Sequence, residues 1–542
     1  MYVATIPNRN SPPAILLRRG YREGGKAKTE TIANITDWEP ERIEALKRAL
    51  RGEFDGIVDG VDPINERIFG VLYVLEKLAD RIEITKALGK TRMGKLALFL
   101  VLARIADQGS RLSAVRWAKD HCVAEILGLT DLHTKELYLA LDWLSAHQER
   151  IEKKLFKAYM KKKGCPLILV LYDATRAYLE GECNELGAFG YAPDGKKAKE
   201  QIVVGLLTAG DGEPLSVKVF EGNTADPSTI FDQIDVLKRR FGIEDVVFVG
   251  DRGMVKSKGK EALTENGLKY ITALTDPQVR KLLAKDIIQL DLFDQTLCDI
   301  EHGHLRLVLY RNEKTRRKEE RRRQDKLARL TEKVSERNAV VLQSKRAIPE
   351  AGLRKLRAWS KRHKISSFCE LNLEDRLLVL TVDDKKKVKD AELDGCYVLE
   401  TDVTKDKMDA KTVNERYRSL QMVERNFRTL KNGFLELRPI FVRKEERTEG
   451  HALCCMLALK IIREANLLLN GSCETPEDDS FQGGLQDALR TMSRWTLHHY
   501  KGQGIDFLRL PEMDDVQLAV CQTLAIDPPS KASSRRVMAE AR

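Results

Sequence analysis

The sequence of 542 residues has few cysteines, and they are not arranged as metal or redox ligands. Its ten cysteines are scattered, no Cys-x-x-Cys pair occurs, and the adjacent Cys454 and Cys455 lie in an apolar pattern typical of a helix. His302 and His304 have no cysteine pair at the spacing that a zinc site requires. We therefore expect buried free thiols in a reducing compartment, with neither a disulfide framework nor structural zinc.

Long apolar runs and nucleotide-binding loops are also missing. The longest apolar segments, 96–105 and 452–469, are short or interrupted by charged residues, whereas a membrane-spanning helix needs about 20 apolar residues. The N-terminus has prolines and only a short apolar run, which is not the pattern of a secretory signal. Gly259-Lys260 is followed by Glu261 rather than Ser or Thr, so a phosphate loop of the Walker type is absent. These absences predict a soluble chain that does not span a membrane.

Basic residues, in contrast, are in excess, and the excess is concentrated in two stretches. The formal net charge is +11, from 93 Lys and Arg against 82 Asp and Glu. Residues 1–28 hold six basic and one acidic residue, and residues 311–338 hold twelve basic and six acidic residues, so they contribute +5 and +6. Concentrated positive charge indicates a polyanionic partner, nucleic acid first, although a solvated helix face is the alternative for either run.

The length corresponds to about three to five domains, and changes in pattern divide the chain into segments. Residues 61–163 are predicted to form short helices with a turn at Gly128. This pattern fits either a helix-turn-helix DNA-binding unit or an ordinary helical bundle. Six segments are predicted: a basic N-terminal segment (1–60), a helical, candidate DNA-binding region (61–163), the first part of an α/β core (164–280), an insertion of strands and charged helices (281–405), the second part of the core (406–475), and a C-terminal region with a partly disordered tail (476–542).

The predicted core alternates buried strands with helices. The continuous apolar runs Leu167–Tyr172 and Val246–Val249 are typical of strands buried on both faces. Between them, Gln201–Leu207 and Leu215–Phe220 are joined by Gly210-Asp211-Gly212, which predicts a hairpin. Helices are expected after the hairpin and after the next strand, so the order implies a mixed α/β sheet with at least one parallel crossover. Four strands are predicted in the insertion: Ile287–Phe293, Leu305–Tyr310, Leu377–Val382 and Cys396–Leu399.

Two carboxylates, Asp173 and Asp251, come directly after two of the buried strands. Sites in open α/β sheets form at the carboxyl ends of strands, and neighbouring strands would bring these side chains face to face. Two like charges at such a distance are costly unless a cation lies between them, and Mg²⁺ prefers hard oxygen ligands. The pair therefore fits a Mg²⁺ site, and the alternative is that each Asp only caps the turn after its strand.

A third carboxylate, Glu424, borders the apolar stripe of a helix predicted over Ala410–Leu430. A carboxylate beside a buried face needs a partner. On spacing alone, an ion pair with Arg428, four residues further on, is a more ordinary explanation than catalysis. The same helical line carries the following residues: Val413, Tyr417, Leu420, Phe427 and Lys431.

Three blocks of sequence resemble the DDE-type transposases of bacterial insertion sequences, and the resemblance covers about residues 165–470. In the third block, Tyr417, Glu424 and Lys431 match the type and spacing of the YREK signature, which points to the insertion sequence four-like superfamily. Leu420 stands where that signature has Arg, and three nearby arginines offer a replacement: Arg418, Arg425 and Arg428. The blocks are Tyr172-Asp-Ala-Thr175, Val249-Gly-Asp-Arg-Gly-Met254 and the segment from Tyr417 to Lys431.

The resemblance implies an α/β fold with an RNase H-like catalytic core, interrupted by a strand-rich insertion and preceded by a helical N-terminal region. It implies that Asp173, Asp251 and Glu424 hold two Mg²⁺ or Mn²⁺ ions, which activate water or a DNA 3′-hydroxyl and stabilise the leaving oxygen. Cleavage and strand transfer would then need no covalent enzyme–DNA intermediate.

The resemblance also implies a double-stranded DNA partner, formed by the transposon ends and the target. Tyr417, Lys431 and Arg428 would contact phosphates near the cut. Trp359 lies among basic residues of the insertion, where it would either stack on an unpaired base or pack in a hydrophobic core. The expected assembly is a homodimer on DNA, and the expected location is the bacterial cytoplasm, associated with the nucleoid.

Two other functions fit the same residues. An RNase H-like nuclease would use the same metal ions to cleave DNA without strand transfer. A DNA-binding protein with a decayed catalytic core would keep only the basic stretches, and the complete Asp, Asp, Glu set argues against it.

Overall fold

The chain divides into two compact units in the computed structural model. One unit comprises residues 1–74, 116–128 and 466–542, and the other comprises residues 75–115 and 129–465, so the predicted helical segment 61–163 is shared between them. No helix among the described residues is long and apolar enough to cross a membrane. The structure describes these residues: 1–8, 12–52, 62–181, 183–191, 199–252, 254–294, 297–344, 346–431, 435–438, 441–471, 481, 483–502 and 505–529.

Strands and helices follow one another along both units. The strands are β1 (Tyr2–Ile6), β2 (Ala14–Glu23), β3 (Lys26–Asn34), β4 (Asp62–Ile68), β5 (Leu169–Tyr178), β6 (Gln201–Ala209), β7 (Pro214–Glu221), β8 (Val247–Gly250), β9 (Lys269–Ala273), β10 (Cys298–His302), β11 (Leu305–Arg311), β12 (Cys369–Glu374), β13 (Leu377–Val382), β14 (Cys396–Thr401), β15 (Thr496–Gly502) and β16 (Ile505–Arg509). The α-helices are α1 (Pro40–Leu50), α2 (Gly70–Arg81), α3 (Ile84–Leu88), α4 (Arg92–Ala106), α5 (Arg111–Lys119), α6 (Val123–Leu127), α7 (Thr134–Ala146), α8 (Gln148–Lys163), α9 (Ile230–Asp235), α10 (Ser257–Glu265), α11 (Asp276–Ala284), α12 (Glu313–Gln343), α13 (Pro349–Arg362), α14 (Asp384–Ala391), α15 (Ala410–Arg418), α16 (Leu420–Lys431), α17 (Glu445–Gly471), α18 (Leu485–Met492) and α19 (Asp515–Thr523).

The larger unit is organised around one eight-stranded sheet with the order β10-β11-β14-β9-β8-β5-β6-β7. The pairs β5–β8 and β8–β9 are parallel, and the other neighbours are antiparallel. The predicted hairpin is confirmed as β6 and β7, with Gly212 at a positive φ of 84° in the connecting turn. The mixed α/β fold with parallel crossovers, which the order of apolar runs predicts, is therefore confirmed.

The middle of this sheet is buried because its strands carry apolar side chains on both faces. Every residue from Leu169 to Tyr172 in β5 is buried, and so is every residue of β8. Tyr172 and Phe248 pack with helix residues such as Ile230 and Leu263 in one hydrophobic cluster. Burying a side chain of this size contributes about 1.5–3 kcal/mol, so the cluster holds the strand ends in a fixed arrangement.

The insertion is only partly a separate body. Its strands β10, β11 and β14 extend the central sheet beyond β9, whereas β12 and β13 form a hairpin of their own. That hairpin packs with α12 and α13 through a cluster that includes Leu330, Leu356 and Leu371. The predicted strand over Ile287–Phe293 is wrong, because this segment holds a short 3₁₀ turn and its buried side chains pack under the sheet without strand pairing.

The smaller unit contains two three-stranded antiparallel sheets, ordered β1-β2-β3 and β16-β15-β4. Trp495 packs edge-on against Phe69 and Tyr73 at ring distances of 5.0 and 5.8 Å, and its indole N–H donates to the carbonyl oxygen of Pro511. The basic N-terminal segment contains the first of these sheets. The tail that is predicted to be disordered, residues 531–542, lies outside the described residues.

Candidate active site

The register of two parallel strands brings Asp173 and Asp251 side by side. The pairing of β5 with β8 ends where Tyr172 faces Gly250, and Asp173 and Asp251 are the next residues in the chain. Asp173 does not end β5 itself, because β5 continues to Tyr178 in its pairing with β6. The prediction that β5 ends at Asp173 is therefore wrong. Asp173 follows the last residue of β5 that pairs with β8.

Glu424 reaches the same place from a helix. The predicted helix over 410–430 is two helices, α15 and α16, which are separated at Ser419. Val423 and Phe427 are buried beneath α16, which packs on β5, while Glu424 is exposed at the edge of this buried face. Glu424 and Arg428 both lie within the described residues, and they do not form an ion pair with each other. The ordinary explanation of Glu424 as a partner of Arg428 is therefore wrong.

The three carboxylates line one cavity of about 270 Å³, which we call the carboxylate cavity. Its other lining comes from the insertion, from the first turn of α12, and from the junction of α15 with α16. The lining residues besides the carboxylates are Tyr310, Asn312, Thr315, Tyr397, Tyr417, Arg418, Leu420 and Gln421.

The described lining of the cavity carries three acidic groups and one basic group, Arg418. Burial is the largest cause that raises the pKa of Asp173 from 3.8 to about 7; the charges of Asp251 and Glu424 act in the same direction, and a hydrogen bond from the Ala174 N–H acts against it. Because charge interactions weaken with distance, their effect on Asp173 places Asp251 and Glu424 within electrostatic reach of Asp173. A cation in this cavity would relieve the repulsion.

Each of the two aspartates is also oriented by a hydrogen bond from the next residue. Asp173 Oδ1 accepts from the Ala174 N–H at 2.9 Å, and Asp251 Oδ1 accepts from the Arg252 N–H at 2.7 Å. Tyr417 adds a second bond to Asp251, since its hydroxyl donates to Oδ1 at 3.2 Å. Burial and the charge of Asp251 raise the pKa of Tyr417, so the phenol keeps its proton and remains a donor.

A row of stacked side chains forms one wall of the cavity, and the sequence patterns did not reveal it. The rings of Tyr310 and Tyr397 stack at 5.0 Å with an angle of 9° between their planes. The guanidinium of Arg418 lies 5.4 Å from the Tyr310 ring, and that of Arg252 lies 5.7 Å from the Tyr397 ring. The two arginines follow Tyr417 and Asp251 in the chain, so the row connects both sides of the site to the insertion.

The residues predicted to bind DNA are not all brought together. Tyr417 lines the carboxylate cavity, whereas Arg428 and Lys431 are exposed on α16 and are absent from its described lining. Trp359 lies on α13, half-buried against the hydrophobic cluster of the insertion, with its ring 4.0 Å from that of His363. Leu420 lines the cavity at the position where the signature has Arg, and Arg418 lines it from the preceding helix.

The donor chemistry of the cavity suits a hard divalent cation. All three acidic groups offer oxygen, which Mg²⁺ and Mn²⁺ prefer, and no thiol or imidazole is among the described lining residues. In this conformation no three His, Cys, Asp or Glu side chains of the described residues are grouped closely enough to hold an ion.

Comparison with known proteins gives the following matches. A family model described as "Transposase DDE domain" matches residues 165–461, and the model of the "IS1634 family transposase, N-terminal domain" matches residues 3–57. No curated protein matches the chain. A solved structure titled "Cryo-EM structure of piggyBac transposase synaptic complex with hairpin DNA (SNHP)" is similar over 73% of this chain and 69% of that one, at 9% identity and a TM-score of 0.34, a likeness too low to carry an argument.

Proposed function

The chain belongs to the DDE transposase family, and from that premise we propose that Asp173, Asp251 and Glu424 are its catalytic carboxylates. The two matching family models support a transposase that acts on insertion-sequence DNA and catalyses DNA cleavage and strand transfer. One observation carries the assignment of the site: the β5–β8 register ends at Tyr172 and Gly250, so both aspartates enter a cavity that Glu424 also lines.

The catalytic core is proposed to be RNase H-like. Its five strands have the spatial order β7-β6-β5-β8-β9, in which β5, β6 and β7 are antiparallel and β5, β8 and β9 are parallel. This is the strand arrangement that the resemblance implies, with the first carboxylate on the central strand. The insertion between Asp251 and Glu424 then lengthens the sheet at its β9 side.

We assign the chain to the group with the YREK signature, with one replacement. Tyr417, Glu424 and Lys431 keep their positions, and Leu420 leaves the Arg position apolar. Of the three arginines that could replace it, Arg418 alone is in the described lining of the carboxylate cavity. Arg418 is therefore proposed to supply the missing positive charge for a DNA phosphate.

The protein's own groups divide the catalytic work. The three carboxylates would hold Mg²⁺ or Mn²⁺, two ions in this proposal, which when bound supply a lowered pKa for the attacking hydroxyl and stabilise the leaving 3′-oxygen. The Tyr417 hydroxyl keeps Asp251 oriented, and Arg418 faces the phosphate. Water first attacks the phosphate at the transposon end: a P–O bond to the water oxygen forms, the P–O3′ bond breaks, and the products are a 3′-hydroxyl on the transposon end and a 5′-phosphate on the flanking DNA. That hydroxyl then attacks a target phosphate, so that one P–O bond forms while another breaks.

The DNA partner is double-stranded DNA, both transposon ends and target. Two ends must be processed together, so the active assembly is proposed to be a homodimer on DNA that works at the nucleoid. Residues 3–57, with the basic N-terminal stretch, belong to the matched N-terminal transposase domain. We propose that this domain contributes to DNA binding through the backbone phosphates.

A strand-transfer assay tests the proposal. The purified chain is given Mg²⁺ and a plasmid that carries the ends of its own element, and a pre-cut end is supplied to score joining separately. The variants Asp173→Asn, Asp251→Asn and Glu424→Gln should each lose at least about 10³-fold in cleavage, the scale of a lost electrostatic catalytic group. Glu415→Gln, an exposed site on α15 outside the described cavity lining, is the matched control.

Two results would contradict the proposal. Cleavage by Asp251→Asn at the wild-type rate would mean that the site lies elsewhere. Cleavage without any joined product from pre-cut ends would leave a nuclease.

A further inference from the structure

A second cavity, which we call the insertion cavity, lies beside the carboxylate cavity in the same unit. Its volume is about 470 Å³, and its walls come from α11, from the middle of α12, from the turn after α13, and from the segment around α14 and β14. Nothing in the proposed reaction uses it. Its charged lining residues are Arg252, Asp276, Arg280, Glu319, Arg322, Arg323, Lys326, Lys364, Asp390 and Asp394.

The positive charges of this cavity are only partly neutralised. Arg323 is paired with Asp390 and Asp394, and Arg252 lies 3.4 Å from Asp276. Arg322 and Lys364 are exposed and make no ion pair within the described chain, and Lys326 Nζ donates to the carbonyl oxygen of His363 at 3.1 Å. Burial lowers the pKa of His363 first, and the charges of Lys326, Arg362 and Arg329 lower it further. An anion would find a positive potential here.

The two cavities share a wall. Tyr397 lines both of them, and Arg252, which lines the insertion cavity, directly follows Asp251 in the chain. The shared residue places the insertion cavity, with Arg322 and Lys364 in its lining, next to the carboxylate cavity. Phosphates recur about every 3.4 Å of helix rise along one strand, so the next few phosphates would reach this cavity.

We propose that the insertion cavity binds backbone phosphates of the DNA strand that is cleaved at Asp173, Asp251 and Glu424, within a few nucleotides of the cut. This inference rests on the proposed function, because it needs a scissile phosphate in the carboxylate cavity. Arg322 and Lys364 are the phosphate ligands, and Lys326 and Arg252 add positive charge. The contacts are with the backbone, so they hold the strand in position and carry no base specificity.

The experiment combines a protein variant with DNA in which single backbone phosphates are replaced by uncharged methylphosphonates. Transposon-end DNA is made with single methylphosphonates at each of about five phosphates on either side of the cut, a span that covers the reach of the cavity. Affinity is measured with the full-length chain in Ca²⁺, to prevent cleavage, for wild type and for Arg322→Ala/Lys364→Ala. We expect roughly threefold to tenfold weaker wild-type binding at one or two modified positions, and no further loss there in the double variant.

The salt dependence gives a second readout. The double variant should lower the slope of log K against log salt by about 2, one for each lost phosphate contact. Arg317→Ala/Arg321→Ala removes the same number of charges from α12, the helix that carries Arg322, but outside the described cavity lining, and it should leave the methylphosphonate pattern unchanged. Thermal unfolding of each variant checks that the fold is intact, as expected for exposed residues.

The inference would be overturned if, at every modified position near the cut, the loss of affinity caused by the methylphosphonate were the same in the double variant as in wild type. It would also be overturned if the control pair removed the same position-specific effect. Either result differs from a failure of the proposed function. If the proposed function were wrong, the Asp251→Asn variant would still cleave DNA in the cleavage assay.

Discussion

At the scale of single residues, the site depends on groups that touch the carboxylates rather than on the carboxylates alone. The Tyr417 hydroxyl donates to Asp251 Oδ1 at 3.2 Å. Within the described residues, the Asp251 carboxylate accepts one other hydrogen bond, from the N–H of Arg252. A hydrogen bond to a charged group contributes about 1.5–3 kcal/mol. The Tyr417 hydroxyl therefore matters for the direction in which Asp251 points.

The first prediction concerns this hydroxyl. Tyr417→Phe keeps the ring and removes the donor, so cleavage should fall by about tenfold or more, with the thermal midpoint nearly unchanged. Tyr159→Phe is the matched control. The Tyr159 hydroxyl donates to an Asp211 carboxylate oxygen at 3.0 Å, and neither residue is in the described lining of the carboxylate cavity. Equal cleavage by Tyr417→Phe and wild type in a Mg²⁺-dependent nicking assay would show that the bond plays no part.

The second prediction concerns the replaced arginine. Arg418→Ala should reduce cleavage by about tenfold to a hundredfold, because a phosphate loses a charged hydrogen-bond donor. Adding Leu420→Arg to Arg418→Ala should restore part of the activity, since Leu420 lines the same cavity. Arg425→Ala, an exposed site on α16 outside that described lining, serves as the control. Full activity of Arg418→Ala would leave the replacement unexplained.

At the scale of elements, the helix that carries Glu424 is held against the sheet by the β6–β7 turn. The Asn426 side-chain amide donates to the carbonyl oxygen of Gly212 at 2.9 Å. Glu213, beside that turn, accepts from Lys460 of α17 and lies 3.2 Å from Arg463. Lys460 is only 5% exposed, so its charge depends on Glu213 and on the carbonyl oxygen of Pro214.

The third prediction follows from this network. Glu213→Gln leaves the charge of Lys460 buried without its counter-ion, and breaking a buried pair in this way costs about 3–5 kcal/mol. We expect a clearly lower midpoint of chemical or thermal unfolding. Lys162→Gln is the control, because it removes a pair with Glu464 from an exposed lysine and should cost less than about 1 kcal/mol. Similar losses in both variants would contradict this account.

The elements themselves were largely predictable from local pattern. The hairpin, the buried strands β5 and β8, and three strands of the insertion follow from apolar runs and turn residues, and the structure confirms them. The strand expected over Ile287–Phe293 is wrong because its apolar residues are buried by packing instead of strand pairing. The break at Ser419 was also missed, since one helical stripe runs across both helices.

At the scale of the whole molecule, stability should depend on pH through a buried imidazole. His451 is buried within α17, with Nε2 3.3 Å from the carbonyl oxygen of Glu436. Burial lowers its pKa well below 6.5, and the charges of Arg104 and Arg111 lower it further. The folded chain thus keeps His451 neutral, whereas the unfolded chain takes up a proton below about pH 6.5.

The fourth prediction gives the sign of this effect. Because the unfolded state binds the extra proton at His451, the contribution of this side chain to stability falls as pH drops below about 6.5, by up to about 1.4 kcal/mol per pH unit. His451→Gln should lose less stability than wild type between pH 7 and pH 5, by about 2 kcal/mol, in denaturant unfolding. His302→Gln, an exposed site, should keep the wild-type dependence. Parallel curves for His451→Gln and wild type would exclude His451 as the cause.

The sequence by itself determined the properties that depend on neighbouring residues: the two basic stretches, the strands buried on both faces, and the three blocks that carry Asp173, Asp251 and Glu424. Only the tertiary structure decided which distant residues meet. The row formed by Arg252, Tyr397, Tyr310 and Arg418 needs the insertion strands to pair with β9, and the shared wall of the two cavities needs the same pairing. Such contacts depend on the register between strands far apart in the chain, and no local pattern specifies that register.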